Sequence, residues 1–193
     1  MSNLPYFLAL NRMDKVGPRT VAKLHKRWPD LQEMFELSKT ELEQAGVPSF
    51  LAHTISSFDL NIIEADLHWL NTADGHHLLT WESAHYPKLL KEISDPPIVL
   101  YAKGQLPALQ QPNLAVIGSR NPSITGSENA RTFAKALAAQ GITIVSGLAL
   151  GIDAEAHVGC LAAGGHTIAV MGTGIDSVYP RRHLKLAEQI SQN

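Results

Sequence analysis

The sequence predicts an α/β protein in two parts, a small helical domain over residues 1–75 and a parallel-sheet domain over residues 76–193. Three observations carry that expectation. Up to about residue 75, apolar residues recur at helical spacing and β-branched runs are scarce. Beyond residue 112, three short segments that are apolar throughout alternate with helical stretches, the pattern of parallel strands covered on both faces. Each of those segments also ends in a glycine-bearing loop.

The helical part divides into segments at roughly 4–13, 18–27, 30–37, 38–45, 48–57 and 60–73. Two stretches in it are alike: Leu10 to Ala22, with Gly17-Pro18 in its turn, and Leu42 to Ala52, with Gly46-Val47-Pro48. Both read as helix-hairpin-helix units, in which glycine lets backbone N–H groups face outward and proline suits the first turn of the second helix. Around the first hairpin, Arg12, Lys15, Arg19, Lys23, Lys26 and Arg27 face Asp14 alone. That cluster is either a phosphate contact, helped by Arg19 and Lys23, or a solvated basic face. The second hairpin has no basic residue beside it and reads as structural. Trp28, Trp69 and Trp81 read as core.

Residues 74–112 form a bridge with short strands at Leu78–Trp81 and Ile98–Tyr101, separated by the turns His85-Tyr86-Pro87 and Asp95-Pro96-Pro97. The sheet domain then runs βαβαβα. Strands fall at Leu114–Ile117, Ile142–Val145 and Thr167–Met171. The first helix, at about 127–139, carries the stripe Ala130, Phe133, Ala134, Leu137 and stops at Gly141. The second starts at Asp153 as N-cap and stops at Gly164, and the third follows Pro180.

In an open parallel sheet the loops after the strands lie along one edge, where ligands bind. Here they are Gly118 to Gly126, Ser146 to Asp153 and Gly172 to Asp176. Glycines allow close backbone approach and helix N-termini add N–H groups, so the expected ligand is an anion, phosphate above all. The candidate contacts are Gly118, Ser119, Arg120 and Gly126 in the first loop, Ser146, Gly147 and Gly151 in the second, and Gly172, Thr173 and Gly174 in the third. No loop carries the dinucleotide fingerprint or a Gly-Lys-Ser/Thr phosphate loop.

Arg120 either holds a phosphate bidentately or fastens its loop through a salt bridge, for example to Asp153. Arg181 and Arg182 are placed in the first turn of a helix, where exposed cations oppose the helix dipole by about 0.3–1 kcal/mol each. A bound anion reverses that sign. Tyr179 beside them either packs in the core or stacks on a base. Asp153 and His157, four apart on a helix, read as N-cap and loop-bonded histidine, with an acid/base pair as the alternative. Cys160 falls on an apolar helix face and reads as core. His76-His77 and His183 lack a second ligand at any metal spacing, so no metal is expected, and no cofactor is expected either.

Composition bounds the rest. With 193 residues, 45% hydrophobic and 18% charged, the chain can bury a core and is not disordered. No apolar run reaches bilayer length, and Met1-Ser2-Asn3-Leu4-Pro5 has no basic patch ahead of an apolar stretch, so neither a membrane span nor a signal peptide is expected. One cysteine excludes an internal disulfide and points to a reducing cytoplasm. A net charge of -2 means that any phosphate-binding charge is gathered locally.

Three motifs in order resemble the DprA/Smf family, the DNA-processing protein A of bacterial transformation. They are Ala115-Val116-Ile117-Gly118-Ser119-Arg120, then Val145 to Asp153 with Ala156-His157, then Met171-Gly172-Thr173-Gly174-Ile175-Asp176 with Val178-Tyr179-Pro180. The resemblance spans the chain. It implies a sterile-alpha-motif-like (SAM-like) N-terminal domain and an extended Rossmann-like sheet domain. It also implies non-catalytic binding of single-stranded DNA, protection of that strand, and loading of the RecA recombinase in competent cells. It places Gly118, Ser119 and Arg120 in the DNA pocket, joined by Gly172, Thr173 and Gly174 with Arg181 or Arg182. Family members continue past the point where this sequence stops, so the sheet domain is expected to be a C-terminally incomplete fragment, lacking the family's dimerisation surface and some DNA contacts. The competing expectation is a nucleotide-processing enzyme of the phosphoribohydrolase type. It is disfavoured because Ile175-Asp176 stands where such enzymes carry a catalytic Glu.

Overall fold

A computed structural model describes residues 2–193. The chain forms two compact units that divide between Tyr101 and Ala102.

The first unit is built on helices α1 (Leu4–Arg12), α2 (Pro18–Arg27), α3 (Leu31–Phe35), α4 (Lys39–Gln44), α5 (Ser49–Ser56) and α6 (Glu64–Leu70), the last entered through a 3₁₀ turn at Leu60–Ile63. Gly17 is the N-cap of α2 and Pro18 its first residue. Ser38 and Glu41 close a capping box at the start of α4. One apolar core holds these helices, with Phe7, Leu8, Leu10, Val21, Leu31, Met34, Leu42 and Ile55 buried. Each such side chain contributes about 1.5–3 kcal/mol relative to exposure.

Strands β1 (His76–Thr80) and β2 (Val99–Lys103) pair as a two-stranded sheet, with helix α7 (Lys88–Lys91) between them in sequence. Leu78, Ile98 and Val99 enter the helical core, and Trp69, Trp81 and Tyr101 pack against it. That packing is why the compact unit runs to Tyr101, beyond the helical boundary at residue 75. The bridge is apolar enough to complete a neighbouring core and has no core of its own.

The helical unit also uses most of its basic cluster internally. Asp66, on α6, accepts from Arg12 Nε (2.8 Å) and Nη2 (2.7 Å) and from the Tyr101 hydroxyl (2.7 Å). Burial pushes the Asp66 carboxyl up, but these hydrogen bonds outweigh it and hold it below its ordinary value. Burial and the Asp66 charge push the Tyr101 hydroxyl up to about 12. Arg19 pairs with Asp95 at 2.7 Å. The Lys15 ammonium lies 5.4 Å from the Phe50 ring centre and the Arg27 guanidinium 4.9 Å from that of Trp28.

The second unit is a three-stranded parallel sheet in the order β3 (Asn113–Ala115), β4 (Thr143–Ser146), β5 (Thr167–Ala169). Leu114 pairs with Ile144, and Ile144 with Thr167. Helices α8 (Ile124–Ala138), α9 (Ile152–Ala162) and α10 (Leu184–Gln192) complete it. α8 and α9 pack on each other and on β4, and α10 packs on α9 and β5. The core is small: Ala134, Ala138, Ile144, Ala156 and Cys160. Cys160 is buried, and that burial raises its thiol pKa.

Two expectations are corrected in this unit. α8 buries Ala130, Ala134 and Ala138, while Phe133 is 63% exposed. The reason is close helix approach: a Cβ on Gly159 of α9 would collide with the Arg131 carbonyl, so only an alanine face of α8 fits there. Among the described residues, the sheet is also not covered on both faces. Ile117 and Val170, whose side chains alternate away from the helix-facing Val116 and Ile144, are 76% and 62% exposed.

Candidate nucleic-acid interface

All three predicted loops leave the carboxyl ends of β3, β4 and β5, and parallel pairing puts them on one edge. The Val116 N–H continues the ladder to the Val145 carbonyl (2.9 Å), and the Val170 N–H to that of Ser146 (2.8 Å).

The first loop, residues 116–123, turns at Ser119, whose Oγ accepts from the Asn121 N–H (3.0 Å). It ends at Ser123, the N-cap of α8, whose Oγ accepts from the Gly126 N–H (3.1 Å). The second loop, residues 147–151, wraps a carboxylate. Asp153 Oδ2 accepts from the N–H groups of Gly147 (3.2 Å) and Ala149 (3.3 Å). Between them Leu148 is fully buried with φ +60. Gly151 caps α9 with φ +77, and a Cβ there would run into the Ser119 carbonyl and lie 2.7 Å from Pro122 Cδ. The first loop is therefore seated on the second, and the Ile152 N–H bonds the Ser119 carbonyl (3.1 Å). In the third loop the Thr173 hydroxyl donates to the Ser177 carbonyl. Arg181–His183 then form a 3₁₀ turn ahead of α10. His183 Nδ1 lies 2.9 Å from the Leu148 carbonyl, which can only accept, so Nδ1 carries the proton. The segment from Leu148 to Ile152 thus bonds both to the first loop and to the turn that follows the third.

The arginines separate cleanly. Arg12, Arg19 and Arg131 form ion pairs, the last with Glu155 at 2.6 Å, and Arg27 sits over Trp28. Arg120, Arg181 and Arg182 are exposed and, among the described residues, have no ion-pair partner. The three belong to the loops just described. The salt bridge proposed between Arg120 and Asp153 does not form, because Asp153 is committed to backbone N–H groups. Arg181 and Arg182 precede α10 rather than occupying its first turn. Tyr179 is 71% exposed and is not a core residue.

Other predicted site residues hold the loops instead of facing outward. The Ser146 hydroxyl, buried, donates to the Val116 carbonyl at 2.6 Å. The N–H groups of Gly126 and Gly147 are taken by Ser123 and Asp153. Gly151 lies under the first loop. Gly118, Ser119, Gly172, Thr173 and Gly174 are exposed, and a Cβ on Gly172 or Gly174 would meet nothing within 4 Å.

Asp153 is not the N-cap of α9, and it forms no acid/base pair with His157. His157 is fully buried, with Nδ1 2.7 Å from Thr167 Oγ1. Thr167 donates its own proton to the Ile144 carbonyl (2.8 Å), so His157 Nδ1 carries the hydrogen, and Nε2 has no partner among the described residues. Burial holds the imidazole neutral and brings its pKa down to about 4, with Asp153 pulling it up and His183 down. Sequence reasoning weighed His183 only as a metal ligand. Its partner Leu148 is 35 residues away, and nothing in the local pattern signals the link. No cluster of metal-ligating side chains occurs among the described residues, and no helix among them is long and apolar enough to cross a membrane.

Comparison with known proteins decides the family. A sequence model of the DNA recombination-mediator protein A family matches residues 77–193. The chain belongs to the DprA/Smf family. It is 42% identical over 149 residues to protein Smf of Escherichia coli, covering 77% of this chain and 40% of that protein. It is 35% identical over 195 residues to protein Smf of Synechocystis, covering 98% and 49%. The chain thus spans less than half the length of these curated DprA/Smf relatives. The X-ray structure of DNA processing protein A from Streptococcus pneumoniae superposes with a TM-score of 0.75 at 28% identity, over 100% of this chain and 65% of that one. The DNA processing protein A of Helicobacter pylori, solved for its single-stranded DNA binding mode, gives a TM-score of 0.54 at 35% identity, over 61% of this chain and 53% of that one. The family match begins at residue 77, near the expected domain boundary, whereas packing divides this DprA/Smf chain after Tyr101.

Proposed function

We propose that this chain is the part of a DNA-processing protein that holds single-stranded DNA, without catalysing a reaction on it. Arg120, Arg181 and Arg182 take phosphates, the exposed backbone of Gly118-Ser119 and Gly172-Thr173-Gly174 lets the strand approach, and Tyr179 stacks on a base. The single observation that carries this is the set of three exposed arginines, without an ion-pair partner among the described residues, on the first loop and on the turn after the third, both of which bond to the segment from Leu148 to Ile152. The Helicobacter pylori relative supports the choice of a single strand. Asp153, the acid that a nucleotide-cleaving reading relies on, is bonded to two peptide N–H groups, which supports a binding role. In the wider reading the protein is cytoplasmic, shields incoming DNA and loads RecA onto it during natural transformation; the relatives' names support the DNA-processing part of that reading.

The test is titration of labelled oligothymidine at 50 and 200 mM salt. Three phosphate contacts on a single strand give a log–log salt slope near about −2, so affinity falls about 20-fold across that range. Arg120→Ala shallows the slope by about 0.7 and weakens binding about 10-fold on every sequence. Salt-independent binding, or an unchanged slope in a folded Arg120→Ala variant, overturns the phosphate role.

A further inference from the structure

Phosphate-binding arginines are useful only when their spacing is held, because a guanidinium on a free turn must be ordered anew for each contact. Arg181 and Arg182 are long, exposed and without an ion-pair partner among the described residues, so their placement comes from the turn that carries them. That turn has one inward-facing member, the half-buried His183. Its N–H closes the turn on the Pro180 carbonyl (2.9 Å). Its Nδ1–H reaches across to the Leu148 carbonyl (2.9 Å).

The acceptor is itself fixed. Leu148 is fully buried with φ +60, and the peptide N–H groups on either side of it are held by one carboxylate oxygen of Asp153. Three residues on, Gly151 seats the Ser119 carbonyl, beside Arg120. The peptide at Leu148 is therefore the common reference for the Arg120 loop and for the Arg181–Arg182 turn. We propose that His183 is a positioning residue, which sets Arg181 and Arg182 at a fixed distance from Arg120 by donating Nδ1–H to Leu148. This rests on the DNA-binding reading above. A backbone carbonyl requires a donor at that point, and an asparagine amide nitrogen occupies nearly the same place as imidazole Nδ1, whereas a glutamine amide nitrogen falls near Nε2.

The experiment measures oligothymidine affinity of the 193-residue chain by fluorescence anisotropy, with thermal melting alongside. His183→Ala is expected to weaken binding about 5- to 10-fold. His183→Asn is expected to restore most of that loss and His183→Gln is not. In an Arg181→Ala/Arg182→Ala background, His183→Ala should have no further effect, and in an Arg120→Ala background its effect should shrink, because the spacing to Arg120 no longer counts. Equal affinity of the Asn and Gln variants overturns the positioning role, as does an undiminished His183→Ala effect when Arg181 and Arg182 are already gone. The Asn/Gln comparison decides the matter even if the alanine variant fails to fold. If the unmodified chain binds no oligothymidine, the DNA reading falls and the role of His183 falls with it. If the unmodified chain binds and the Asn and Gln variants match it, only the positioning role falls.

Discussion

Residues 12–27 carry the densest positive charge in the helical unit, and the edge of the sheet unit carries three scattered arginines, yet the availability of these charges is the reverse of what charge density suggests. In the helical unit the guanidiniums of Arg12 and Arg19 meet carboxylates that lie 54 and 76 residues away in the chain. In the sheet unit no carboxylate of the described residues forms an ion pair with Arg120, Arg181 or Arg182. Availability for a ligand is decided by distant partners, and a charge that is already neutralised adds little to a phosphate site. Buried ionisable groups differ in the same way. Asp66 is kept charged by the cation and hydroxyl it meets, and His157 is kept neutral because it meets no counter-charge that offsets its burial.

Substitutions that separate scaffold from interface sharpen this contrast. The largest effect is expected at Gly151. Gly151→Ala combines a left-handed φ with a collision against the first loop, and it should cost about 3–4 kcal/mol in urea unfolding. A loss under 1 kcal/mol would show that the two loops are not seated as described.

Acid should act on the sheet unit next. His157 titrates near 6.5 when unfolded and at about 4 in the fold, so the unfolded state binds the extra proton first. Its contribution is full above about pH 6.5 and is lost as pH falls towards 4, by about 3 kcal/mol in all. In His157→Gln the stability measured by denaturant titration should be nearly flat over that window.

In the helical unit Arg12→Ala leaves Asp66 buried without its cation and should cost about 2–3 kcal/mol, with no change in the salt slope of DNA binding. Because the folded Asp66 pKa lies below the ordinary 3.8, that contribution is complete above this value and disappears as pH falls through the lowered one. Arg19→Ala is the smallest change. Its pair with Asp95 is exposed on both sides, with side chains 71% and 47% accessible, so stability should move by less than about 1 kcal/mol. Oligothymidine affinity should stay within about twofold, against the roughly tenfold loss for Arg120→Ala. A tenfold loss in Arg19→Ala would move the interface to the hairpin.

Much of this architecture was legible beforehand. The helical spacing located α1, α2, α4 and α5 to within a residue or two, because each buries one stripe against a shared core. Gly141 and Gly164 marked the ends of α8 and α9, where a left-handed residue closes the last turn. The three loops were also found, since an apolar run followed by glycine is a local signal. Phe133 was misplaced because its exposure depends on how closely α9 approaches α8. Ser146, Gly126 and Gly147 have internal partners that loop membership alone does not reveal.

By itself, then, the sequence determined the order of elements, the family, and the edge of the sheet where the three glycine-bearing loops lie, because those depend on periodicity, turn residues and motif order along the chain. Tertiary structure decided which cations are free, which glycines seat a loop, and that His183 meets Leu148. Those depend on contacts between residues tens of positions apart, and no local pattern encodes such distances.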